Sequence, residues 1–242
     1  MGIFEGYVGI RLWDGQLVDD IIFTMLFVLF VAFAIVFRTN FRLFLKMLRD
    51  VVFLRERQSL FEKPVGSEWF FRNFMIFQAL FLSSIFLFEV ARAYGYVNHL
   101  KENTVLISIG IIFVVLCLFY QFKQFFYYLF GCIFTDTPRY KFWKMNYNAT
   151  ISAWGTLLYI PVLWLIFVTA HLFIPVILFI FFYILFRFVI IYKTIRIFHK
   201  RNAGLLYISL YLCGQEILPL MFLYQGMVYL YNFIETSTLL WH

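Results

Sequence analysis

The 242-residue chain is 64% hydrophobic and only 14% charged, and it carries a formal net charge of +7. A soluble domain runs closer to half apolar and a quarter charged, so this composition excludes one and points to a membrane protein. The positive surplus does not signal nucleic-acid binding, which needs a solvated basic face; here the cations flank apolar runs, where anionic headgroups would meet them.

Six apolar runs follow one another. The first twenty residues hold Glu5, Asp14, Asp19 and Asp20 against Arg11 alone, the wrong sign for the basic start of a cleavable signal peptide, and none is expected. Residues 21–37 form the first predicted span, just long enough to cross a hydrocarbon core of about 30 Å. Residues 41–60 do not span. Arg42, Lys46 and Arg49 recur at i, i+4, i+7, with Phe44, Leu45, Leu48, Val52 and Phe53 on much of the remaining surface. This pattern predicts a basic amphipathic helix in the cytoplasmic interface, with a solvated helix packing on a cytosolic partner as the other reading.

Lys63-Pro64-Val65-Gly66 breaks that helix, and residues 69–90 are the second span, anchored by Trp69 and Arg72. A short loop with Gly95 and Asn98 leads to the third span, 104–125, predicted to continue past the bilayer through Lys123 and Gln124 to Phe130. Arg139 to Lys144 mixes cations with rings, a composition suited to the headgroup level. Residues 151–170 and 172–192 are the fourth and fifth spans, separated only around His171 and so forced into a tight antiparallel hairpin. The sixth, 205–233, is 29 residues long; at ~1.5 Å per residue it exceeds the bilayer, and Pro219 near its middle is the place to bend. Pro161 and Pro175 are expected to shape helices four and five.

The gaps after the first, third and fifth runs, with the flanking Arg72 and Lys123, hold 16 of the 20 Lys and Arg residues. Alternation of that kind is what the positive-inside rule requires. The expected fold is therefore an all-α polytopic membrane protein, residues 1–242 as one membrane domain, with six transmembrane helices and an interfacial helix after the first. Both termini are expected outside, in the periplasm of a bacterial inner membrane.

Glu216 is the deepest acid, twelve residues into the sixth span. A charge there costs about 2.5–3.5 kcal/mol on insertion scales, so the carboxyl group must be paired, protonated or facing water. Ser209, Cys213 and Glu216 share one helical stripe, which turns the acid toward the bundle, and Pro219 cannot bond the Gln215 carbonyl. Arg187 in the fifth span is the available partner. It lies 12 residues before a hairpin centre at His199 and Glu216 lies 17 after it, a depth difference of about 7.5 Å. Such a pair either lines a substrate or ion path or holds the bundle together. Glu89 and Arg92 form an i, i+3 pair at the outer end of the second span, and Gln78 shares a face with Glu89: the mouth of a polar pathway, or an interfacial ion pair.

Ser83 and Ser84 suit close helix packing better than nucleophilic chemistry. Cys117, Cys132 and Cys213 have no metal-binding spacing and read as small buried hydrophobes. His99 and His171 are both expected at the outer surface, too loosely spaced to indicate a metal or haem. Asn148-Ala149-Thr150 matches a glycosylation sequon but falls on the cytoplasmic side. Metalloprotease, serine-hydrolase and phosphate-loop motifs are absent. No catalytic residue, metal or cofactor is expected.

The Leu212-Cys213…Glu216-Ile217-Leu218-Pro219 string resembles the C-terminal signature of a family of Bacteroidota inner-membrane proteins catalogued as a domain of unknown function, number 4271. The aromatic-rich, six-span layout with a basic segment after the first span is similar too. The resemblance implies location and lineage and brings no reaction. Three function classes remain open: a scaffold or assembly subunit of an envelope complex, partnered by another membrane protein or by a second copy; a small transporter or channel coupling protons or cations through Glu216 and Arg187; and, with least support, an intramembrane enzyme acting on lipid.

Overall fold

In lipid a single chain segment can satisfy its own N–H and C=O groups only as a helix, and the apolar runs obey that constraint. The computed structural model describes residues 16–52, 66–95, 102–134, 137–168 and 172–198, with the isolated positions 221, 225–226 and 228–229. Among them there is no strand, and the helices are α1 (Gln16–Thr39), α2 (Phe41–Val52), α3 (Gly66–Ala93), α4 (Glu102–Phe134), α5 (Thr137–Leu157), α6 (Tyr159–Phe167) and α7 (Phe173–Phe198). Five stretches are long and apolar enough to cross a membrane: Val18–Thr39, Glu68–Ala93, Val105–Leu129, Tyr140–Phe167 and Phe173–Ile197. The chain is an all-α polytopic membrane protein. Apart from those isolated positions, the sixth predicted span lies outside the described residues.

The helix that carries the fourth predicted span begins well before Ile151, at Thr137. Its break from α6 at Leu158 has a covalent cause. Pro161 has no N–H for the Leu157 carbonyl, and its ring crowds that oxygen. The bonds on either side survive, Leu158 N–H to the Trp154 carbonyl at 3.0 Å and Val162 N–H to the Leu158 carbonyl at 3.1 Å, so α5 and α6 make one traverse. Pro175 sits in the first turn of α7, where a missing N–H costs nothing.

Burial separates centre from periphery. In the most apolar window, 56% of α3 and 50% of the α5–α6 traverse are buried, against 11% for α4 and 17% each for α1 and α7. Helix α3 packs on α5, α4, α6 and α1, and α5 packs also on α7 and α2. Near the α1 end of the bundle the core joins Ile22 and Leu26 of α1, Leu82, Ile85 and Phe86 of α3, Ile109 of α4, and Val162 and Leu165 of α6. Toward the other end an aromatic group forms between α4 and α5, with Tyr127 and Trp143 stacked at 4.1 Å and Trp143 and Tyr147 at 4.9 Å.

The amphipathic segment after α1 is helical over Phe41–Val52, and residues 53–65 lie outside the described part. It divides its apolar side chains between two surroundings. Phe44 and Met47 are buried against Phe71 and Met75 of α3 and Ala149 of α5, whereas Phe41, Leu45 and Leu48 stay exposed. The helix is thus docked on the bundle, an arrangement the periodicity alone did not separate from lying free on the membrane.

Gly155 and Ala79 approach each other closely within the core. A Cβ at position 155 would stand 2.5 Å from the Ala79 Cβ and 2.8 Å from its Cα. Small residues at such a crossing let two helices pack backbone to backbone, the main source of association once both are in lipid. Gly155→Ala is therefore expected to lower stability in detergent by about 1–3 kcal/mol. Adding Ala79→Gly should recover part of the lost melting temperature, and an unchanged melting temperature in the single variant would refute the contact.

Candidate functional site

Polar side chains concentrate where α2, α4, α5 and α7 meet. Lys193 of α7 is only 4% exposed. Its ammonium donates to the Asp50 backbone carbonyl of α2 at 2.6 Å and approaches Asn146 Oδ1 of α5 at 3.4 Å. One cation therefore joins three helices. Asn146 is itself held by its amide N–H on the Phe142 carbonyl at 3.0 Å. One residue away the Trp143 indole donates to Thr194 Oγ1 at 2.9 Å, and the Thr194 hydroxyl donates to the Ile190 carbonyl at 2.7 Å. On the α4 side, the Tyr120 hydroxyl and the Gln124 amide both donate to Asn148 Oδ1, at 3.0 and 3.3 Å. The sequon asparagine is an interhelical acceptor.

Beside this seam lies a cavity of about 300 Å³, walled by α3, α4, α5 and α7. Most of its lining is aliphatic or aromatic, including Leu116, Phe119, Trp154 and Phe179. Two cations interrupt that surface, Lys123 from α4 and Arg187 from α7. Lys123 is 1% exposed, with its ammonium 5.9 Å from the Tyr127 ring centroid; the Arg187 guanidinium carbon is 5.5 Å from that of Tyr183. A ring face stabilises a poorly hydrated cation by about 2 kcal/mol or more. Ser83 also reaches the wall, but its hydroxyl donates to the Ala79 carbonyl at 2.6 Å, and Ser84 likewise bonds Phe81 at 2.7 Å. Both serines thus satisfy themselves within α3.

A second charged group clamps the opposite end. Arg92, near the end of α3, donates to Asp19 of α1 at 2.5 Å and to Glu89 at 3.4 Å. The i, i+3 pair expected there gains a third member from another helix. Gln78 does not join it: three helical turns away, its amide is fully buried and has no hydrogen-bond partner among the described residues. On α2, Lys46 pairs with Glu68 of α3 at 3.5 Å, while Arg42 and Arg49 are exposed.

A family model described as Domain of unknown function (DUF4271) matches residues 22–227. The chain belongs to that family. The match covers α1 from Ile22 onward and all of α2 to α7, and includes the Cys213–Pro219 segment on which the resemblance rested. Neither the curated proteins nor the solved structures contain a match.

Of the residues singled out in the sequence, Arg187 lies on the cavity wall, Glu89 and Arg92 are in contact, and Lys46 is paired across helices. Glu216, Cys213, Pro219, Ser209, His99 and His171 lie outside the described residues. No group of three or more His, Cys, Asp or Glu that could hold a metal occurs among the described residues. Sequence reasoning missed Lys123, Lys193, Asn146 and Trp143 as interior groups. The signal available was spacing: Asn146 and Thr150 at i, i+4, and Lys193-Thr194 directly after an unbroken apolar run.

Removing Lys193 should loosen α2, since the hydrogen bond from α7 to the Asp50 carbonyl is lost. Lys193→Ala is expected to cost about 1–3 kcal/mol and to speed backbone amide exchange across Phe41–Val52 more than across α4. Equal protection of α2 in both proteins would rule the tether out.

Proposed function

We propose that this membrane protein is a scaffold or assembly subunit of a cell-envelope complex, seated in a bacterial inner membrane with both termini periplasmic. The observation that carries this reading is the division of labour among its side chains. Lys193, Arg92 and Lys46 join helix to helix, while α1, α4 and α7 turn long apolar faces outward. On α7 the exposed set includes Phe173, Ile177, Ile180, Phe181, Ile184 and Phe188. A surface of that extent suits another membrane protein or a second copy, since lipid-facing helices associate through shape and small contacts rather than charge. The exposed Leu45 and Leu48 of α2, beside Arg42 and Arg49, suit anionic headgroups on the cytoplasmic side.

One observation favours a second reading. A cavity of about 300 Å³ that places Lys123 and Arg187 on facing helices is the kind of feature a small transporter would use, with Glu216 as its titrating acid. Photo-crosslinking separates the two. A photoreactive residue at Phe181 or Ile184 should give one discrete protein adduct, the same from both positions, lost in Leu185→Lys with membrane insertion intact. Adducts to lipid alone, together with a pH-driven ion flux in proteoliposomes, would replace the scaffold by the transporter.

Topology has its own test. Asn98→Cys should react with a membrane-impermeant thiol reagent added outside, and Ser59→Cys only after permeabilisation, in a background lacking the natural cysteines. The opposite labelling would invert the proposed orientation.

A further inference from the structure

Helix α4 is the least covered of the five crossings, with 11% of its most apolar window buried. Its outward side is ordered rather than uniform. Ile107, Ile111, Val114, Leu118, Gln121 and Phe125 are all exposed, and they follow one another at steps of four, three, four, three and four. That alternation averages 3.5 residues, the period of the seam along which two helices supercoil.

Gln121 is the polar member of this seam. It is exposed and makes no hydrogen bond among the described residues. The crossing ends at Leu129, eight residues further on, which is about 12 Å of helix. Lys and Arg carry stems long enough to return a charged head to the interface from such a depth; the Gln side chain is shorter. On the inner side of the same helix, Gln124 and Tyr120 both reach Asn148 of α5. Gln121 faces away from the bundle and has no such neighbour. A primary amide needs a donor and an acceptor, and acyl chains supply neither.

The chemistry of the group selects its partner. An amide is its own complement, because each of two can give an N–H to the other's oxygen. Copies of one membrane protein insert with the same orientation, so a helix that pairs with its twin runs parallel to it. In a parallel pair every seam position meets the same position of the other chain, and residue 121 meets residue 121. An unrelated helix would have to present an amide at that depth independently, whereas a second copy presents it by symmetry. The rest of the seam fits this arrangement. None of its six residues is charged, and a charge there would face its like.

We propose that α4 is the face on which two copies of this chain associate, parallel and about a two-fold axis, with their Gln121 amides bonded to each other. The pairing does not rest on the scaffold reading, which stands chiefly on the outward face of α7, so either can fail without the other.

Cross-linking tests the seam. In a variant with the natural cysteines replaced by serine, Val114→Cys and Leu118→Cys should each give a disulfide-linked dimer on mild oxidation of isolated membranes. Leu106→Cys, exposed on α4 but off the seam, and Phe181→Cys on α7 should stay monomeric. All four positions are at least 47% exposed, so no core contact is disturbed. A dimer from Phe181→Cys with none from α4 would place the second copy on α7 and overturn the proposal. Adducts of Leu118→Cys to a different protein, or a purified protein that is monomeric at every protein-to-detergent ratio, would overturn it too. The amide has its own readout. Gln121→Leu should raise the dimer dissociation constant in mild detergent about tenfold, with the melting temperature of the monomer unchanged, and Gln121→Asn should keep most of the affinity. An equal dissociation constant in Gln121→Leu would remove the amide pair and the proposal with it.

Discussion

Water is missing from the hydrocarbon core, so every polar atom taken into it must find its partner in protein. Lys193 shows what that demands. Near the end of an apolar helix, its ammonium does not turn out toward the headgroups; it reaches the Asp50 carbonyl and Asn146. The same requirement places Asn148 under Tyr120 and Gln124, while Arg92, between Asp19 and Glu89 near the end of α3, forms a partly exposed clamp. Each contact costs desolvation and returns a bond that only one arrangement of helices supplies. Apolar packing can slide along a helix; these bonds cannot, and they set the register.

The central helices and the polar contacts therefore have separate tasks. Close approach at Gly155 and Ala79, with Ser83 and Ser84 bonded back to their own helix, holds α3 to α5 through shape. The cations hold the outer elements α1, α2 and α7 in place around that pair. What remains facing outward on α1, α4 and α7 is aliphatic and aromatic. The polar groups of these helices are thus largely turned inward, and the outward apolar faces are what the proposed assembly role rests on.

Much of this was legible from residue order. The runs at 21–37, 69–90, 104–125 and 172–192 overlap helices apolar and long enough to cross, because lipid demands an unmistakable signal. The Glu89–Arg92 pair could be read from its i, i+3 spacing. The fourth crossing was harder, since Thr137–Thr150 carries Arg139, Lys141, Lys144, Asn146 and Asn148 and looks like a headgroup segment. Its polar residues are divided by direction: Lys141 and Lys144 point outward while Trp143 and Asn146 point in. Composition averages over that division. Lys123 and Lys193 were hidden for the same reason, because a cation at the end of an apolar run reads as a flank until the third dimension shows what it touches.

Amine reactivity tests the central claim most directly. With the protein in lipid nanodiscs, a small water-soluble amine reagent and mass spectrometry would report each lysine. The account predicts that Lys141 and Lys144 are modified while Lys193 and Lys123 remain unmodified until the bundle is unfolded. Modification of Lys193 at the rate of Lys141 would contradict it, because a lysine open to solvent cannot be the interior tie between α2, α5 and α7.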